Sequence, residues 1–313
     1  MCYGVTPILS STALRGGMPE DFLVRVFGYA PKALAADPAN AVTNESIVGI
    51  SMAIACVVSL ALLLISKKSL RVSGRQLWQL AVFGAGGLTA TMLLLTYSYK
   101  YVTPGVALIL NFVYPVIVLA VSSIFFKERF SGVRALALAI AIAGILLISG
   151  LFSSSGGSVL KAEGASSATP GVILALASAI AYAAYFLAGR HASYYGLESG
   201  VCNVYIAGFS AIICLVAALA TGRLMLPKTP FIWLMLIGEG TLGMVIGLRL
   251  LLIGIKLIGS AAASALNTLE PVFVMLTSAL VYGSAMGLVN WLGCALVLAA
   301  ALLSILAMGR KRS

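Results

Sequence analysis

Apolar runs about twenty residues long, bounded by charged or turn-forming residues, recur along the whole chain. They fall near 47–66, 76–97, 103–126, 132–152, 170–189, 201–221, 231–255, 260–282 and 286–308. A helix rising about 1.5 Å per residue needs about 20 such residues to cross a hydrocarbon core of about 30 Å. Each run therefore predicts a membrane-spanning helix. No charge occurs between Pro271 and Gly309, so the last two runs are separated on turn chemistry, at Gly283 and Ser284. The first fourteen residues, MCYGVTPILSSTAL, are apolar but too short to cross alone, and they carry no signal-peptide pattern.

Composition removes the soluble alternatives. Of 313 residues, 61% are hydrophobic and 9% charged, against roughly 25% charged in soluble domains. Such a chain cannot cover a core with polar surface. Five scattered cysteines without a C-x-x-C, and His191 as the one histidine, leave no ligand set for a metal and imply no disulfide framework or cofactor.

The net charge of +11 would suggest nucleic acid in a soluble protein. In a membrane protein the same residues code orientation, because cytoplasmic loops collect Lys and Arg. If the 67–75 loop is cytoplasmic, alternation puts Lys67, Lys68, Arg71, Arg75, Lys127, Arg129, Arg134, Arg190, Lys256, Arg310, Lys311 and Arg312 on that side. Seven remain opposite, in longer loops. The expected partner is thus a lipid bilayer and not a nucleic acid, with the C-terminus in the cytoplasm.

An internal repeat defines the architecture. At an offset of 156, residues 100–149 align with 256–305 without a gap and with fourteen identities. Asn111 falls on Asn267, Pro115 on Pro271, Gly84 on Gly240 and Gly87 on Gly243. Nearer the N-terminus the register changes to an offset of 179, placing Tyr3 on Tyr182, and the difference marks an inserted outer loop at about 16–46. The prediction is an all-α integral membrane protein of ten transmembrane helices, the first one short, in two halves of five. One half covers 1–152, a linker loop 153–169, the second half 170–308, and a basic tail 309–313. Five is odd, so the second half must be inverted. The charges agree: the KERF turn of the first half carries Lys127, Glu128 and Arg129, and its counterpart at Gly283, Ser284, Ala285 and Met286 carries none.

The stretch ALILNFVYPVIVLAVSSIFFKER and its echo SALNTLEPVFVMLTSALVYG resemble the paired EamA-type domains of the drug/metabolite transporter superfamily. The resemblance covers most of the chain, best over 76–308. It implies two inverted five-helix repeats and transport of small metabolites, often amino acids or drugs, across the cytoplasmic membrane. It also implies a central cavity lined mainly by helices three, four, eight and nine with one and six, while five and ten lie outside.

Candidate residues follow from the cost of polarity inside a bilayer. Pro115 and Pro271 sit near the middle of their spans, and each deprives the carbonyl four residues earlier, of Asn111 or Asn267, of its donor. Backbone freed at mid-membrane is where inverted-repeat transporters place substrate. Glu239, Arg249 and Glu270 are charges within apolar spans, which cost about 2.5–3.5 kcal/mol each on insertion scales. Arg249 and Glu270 lie within axial reach of one another and are expected to pair. Tyr114, Tyr182 and Tyr185 are aromatic candidates for the same cavity, whereas Tyr97, Tyr99 and Tyr101 read as an interfacial belt. The string Gly238-Glu239-Gly240-x-x-Gly243 imitates a dinucleotide fingerprint, but no strand precedes it, and close helix packing through the glycines explains it. Protonation of Glu239 would couple transport to a proton gradient, although the spacing does not demand it.

Two function classes remain. The first is a secondary transporter exporting small polar or amphipathic metabolites by alternating access. The second is a membrane-embedded enzyme acting on lipid or peptide, which would need clustered nucleophiles or acids; the two aspartates, Asp21 and Asp37, both lie in the outer loop. A primary pump is excluded by the lack of a phosphate-binding loop. Monomer and homodimer are equally compatible with the sequence.

Overall fold

The computed structural model describes residues 37–98, 110–126, 132–148, 167–270 and 288–309, with separate residues at 9–35, 101, 102, 107, 272, 273 and 276. Among these the regular structure is helical, and an isolated β-bridge joins Met18 and Ala35. We number the helices α1 Asn44–Ile65, α2 Gly74–Ser98, α3 Tyr114–Ile124, α4 Gly132–Ile148, α5 Thr169–His191, α6 Ser199–Ala220, α7 Pro230–Ile258, α8 Ser260–Asn267 and α9 Leu288–Gly309. Five of them, α1, α2, α5, α6 and α7, are long and apolar enough to cross a membrane.

Their ends follow from local chemistry. Ser73 opens α2 with a reciprocal capping box, its hydroxyl accepting from the Gln76 N–H while Gln76 Oε1 accepts from the Ser73 N–H. Thr229 caps α7 with Pro230 in the first turn, where a missing N–H costs nothing. Gly222 ends α6 at φ +65°, a conformation that a side chain disfavours, and lets Arg223 N–H reach back to Ala218 O at 2.8 Å.

Neither α2 nor α7 is α-helical throughout. Each contains a π-helical segment, Leu80–Gly86 in α2 and Glu239–Gly247 in α7. The offset of 156 carries the first onto 236–242, so the two segments overlap in the repeat. Hydrophobic periodicity does not register this change of winding.

The chain forms two compact units. One comprises 1–86, 196–253 and 273–285; the other comprises 87–195, 254–272 and 286–313. Each takes residues from both halves of the sequence. In the first unit α1 runs along α6 and beside α7, and glycines set both spacings. A Cβ at Gly49 would lie 2.8 Å from the Leu215 side chain, and one at Gly240 would lie 2.7 Å from the Ser51 carbonyl oxygen. The start of α1 is tied to the turn after α6, where Thr43 Oγ1 donates to Arg223 O and Glu45 pairs with Arg223 at 3.3 Å.

In the second unit α4 packs on α9, with Gly144 pressed against Gly293 O, and the α-helical end of α2 packs on α5 through Gly87. Its polarity runs opposite to that of a soluble protein. On α5, Ser178 is 0% exposed while Ile180 is 61% exposed. An apolar exterior around a partly polar interior is the arrangement that a lipid solvent favours.

Candidate functional site

The site lies within the second unit, where α3 and α8 begin or end at helix breaks. The chain is helical at Leu110 and Asn111, turns at Phe112 and Val113, and resumes as α3 at Tyr114 with Pro115 in its first turn. In the repeat copy, α8 ends at Asn267 and turns at Thr268 and Leu269. Across both breaks the backbone uses tighter three-residue bonds, Val113 N–H to Leu110 O and Leu269 N–H to Leu266 O. Pro271 itself lies outside the described residues.

These breaks bring side chains from three helices together. Asn267 Nδ2 lies 3.0 Å from Tyr114 Oη, 3.1 Å from Glu270 Oε2 and 3.4 Å from Tyr182 Oη. An amide has two hydrogens, so the two shorter contacts hold them and Tyr182 competes. The phenol rings of Tyr114 and Tyr182 lie 4.5 Å apart between centroids, and Phe186 closes the cluster at 5.3 and 5.1 Å from them. Tyr185 packs behind, 6.1 Å from Tyr182. Tyr114 and Tyr185 are wholly buried, whereas Asn267 and Glu270 keep partial exposure. A carboxylate held by an amide and left partly exposed can pair with a cationic amine through a charge-assisted hydrogen bond.

Asn111 occupies the corresponding place in the first copy and behaves differently. It is buried, and its Oδ1 lies 2.9 Å from Ser178 Oγ, whose single hydrogen it shares with Ala175 O at 2.7 Å. Ser178 and Phe186 were not among the residues singled out from sequence. Their signal is the helical stripe Ser178, Tyr182, Tyr185, Phe186, in which the serine precedes Tyr182 by four residues.

Glu239 and Arg249 belong to the other compact unit. Glu239 is buried at the first position of the π segment of α7. The expected pairing of Arg249 with Glu270 is replaced: Arg249 takes Glu198, ahead of α6, at 3.3 Å, and Lys68 shares that carboxylate at 2.6 Å. Axial spacing gave Arg249 reach but not direction around the helix. His191 stacks on Phe126, ring centroids 3.6 Å apart, and Tyr99 of the expected aromatic belt lies outside the described residues.

Five helices long and apolar enough to cross a membrane, beside a polar site at the breaks of α3 and α8, define a multi-pass membrane protein. The EamA-like transporter family model matches residues 34–150 and again 169–306. The chain belongs to the EamA-like transporter family. No curated protein matches it by sequence. A solved crystal structure is similar at a TM-score of 0.73 and 20% identity, covering 100% of this chain and 95% of the other, which is a likeness of fold.

Proposed function

We propose that the protein is a secondary transporter that moves small polar or amphipathic metabolites bearing an amine, such as amino acids or drug-like amines, across the cytoplasmic membrane by alternating access. Export is the direction expected. The reading includes ten spans in two inverted repeats of five and a cytoplasmic C-terminus. It rests on one observation above all, the Glu270 carboxylate held by Asn267 beside the paired rings of Tyr114 and Tyr182. A membrane interior keeps a carboxylate only where it has work or a partner, and here the amide orients it without neutralising it. The family match supports transport as the activity. No observation favours the membrane-embedded enzyme.

Glu239, buried at the start of the π segment, is the residue we assign to proton coupling. Proteoliposome uptake and efflux of an amino-acid and organic-amine panel, with and without an imposed proton gradient, tests both parts. Flux of at least one amine, faster with the gradient, is expected. Flux of none overturns the transport reading, and flux indifferent to the gradient overturns the coupling.

A further inference from the structure

The π segment of α7 ends in a defined way. Leu248 N–H bonds to Gly243 O, five residues back, and the helix resumes its α register at Leu248. The four-residue rule of an α-helix resumed at Leu248 assigns the Arg249 N–H to the carbonyl of Val245. A change from five-residue to four-residue bonding passes over one carbonyl, here that of Met244. A buried carbonyl left without a donor is costly, and in a bilayer no water supplies one.

Asn203 of α6 supplies it. Its side chain is 0% exposed, and Nδ2 stands 3.1 Å from Met244 O, 3.3 Å from Val245 O and 3.1 Å from Ser59 Oγ. Two carbonyl oxygens on one side fix which end of the amide faces α7, because the oxygen end would repel them. Asn203 Oδ1 is consequently buried with no hydrogen-bond partner among the described residues. A side chain that leaves its own acceptor unsatisfied in order to donate to a skipped carbonyl is placed for that donation.

We propose that Asn203 is a positioning residue that holds α7 in its π register and thereby sets the phase of Glu239 relative to Arg249. The π segment carries one more residue than the α-helix spanning the same bonds would. One residue is about 100° of helical rotation, so loss of the π register turns the start of the segment, with Glu239, by about a quarter turn against Arg249, which Glu198 anchors. The overlapping segment of α2, Leu80–Gly86, marks the same place in the other half of the repeat. The register of α7 does not depend on which substrate crosses.

Deuterium exchange of the full chain in lipid nanodiscs tests it. Asn203→Leu is expected to speed exchange of the amides over 244–250 about tenfold or more, while those of 206–216 in α6 keep the wild-type rate. Deleting Leu242 in the Asn203→Leu background removes the extra residue, restores the α register and returns 244–250 to wild-type protection. A merely space-filling Asn203 would not be rescued by shortening another helix. Wild-type exchange in Asn203→Leu, or failure of the deletion to rescue, overturns the proposal. If Asn203→Leu does not reach the membrane, Asn203→Thr carries the same comparison, with the same two outcomes.

Discussion

The two copies of one short motif, Asn111-Phe-Val-Tyr114-Pro115 and Asn267-Thr-Leu-Glu270-Pro271, share a break and diverge in chemistry. In both, helical winding stops after the asparagine. Asn111 then turns to Ser178 and is buried. Asn267 instead gathers Tyr114 and Glu270, the two residues that occupy the same position in the two copies, with Tyr182 alongside. Duplication supplied the backbone geometry twice, and one exchange, tyrosine for glutamate before the proline, separates a packing role from a charged one. The site is therefore asymmetric although the scaffold is repeated.

That asymmetry can be broken at graded cost. The largest effect is expected from Glu270→Gln, which removes the only charge of the cluster among the described residues; a hydrogen bond to a charged group is worth about 1.5–3 kcal/mol, so amine flux in proteoliposomes should fall about 10–100-fold. Next comes Asn267→Ala, which releases the carboxylate and both phenols and should lower flux about tenfold through a weaker apparent affinity, read as a raised KM. Tyr114→Phe keeps the ring stack but loses the bond accepted from Asn267 and the longer one donated to Ser264 O at 3.5 Å; with the first worth about 1 kcal/mol and the second less, flux should fall about five-fold. Tyr182→Phe, whose contact is longer at 3.4 Å, should lose less than Tyr114→Phe. Smallest in flux is Ser178→Ala, on the Asn111 side. It should leave transport within about twofold and instead destabilise the protein by about 1 kcal/mol, the net worth of one buried hydrogen bond, measured by thermal unfolding in detergent. Equal losses of flux on the Asn111 and Asn267 sides would erase the distinction between the two copies.

Much of this was legible in the sequence, for identifiable reasons. Length and apolarity delimit α1, α2, α5, α6 and α7, since a bilayer tolerates few other solutions. The 156-residue repeat pointed to Asn111, Tyr114, Asn267 and Glu270, four of the residues at the helix breaks. The partners were less legible. Arg249 pairs with Glu198 because side-chain direction around a helix, and not height along it, selects a partner. The π segments leave no mark in composition, as one extra residue shifts hydrogen bonds without altering hydropathy. Asn203 followed suit: an asparagine in an apolar run announces a buried polar contact, but only the bonding of α7 tells which carbonyl needs it.

Recognition of an amine by Glu270 is open to direct test. The most direct measurement compares flux of one transported amine with flux of its N-acetyl derivative, in wild type and Glu270→Gln, in the same proteoliposomes. Strong preference for the free amine is expected in wild type, with loss of that preference in Glu270→Gln. Equal transport of both compounds by wild type, or an undiminished amine preference in Glu270→Gln, would contradict it.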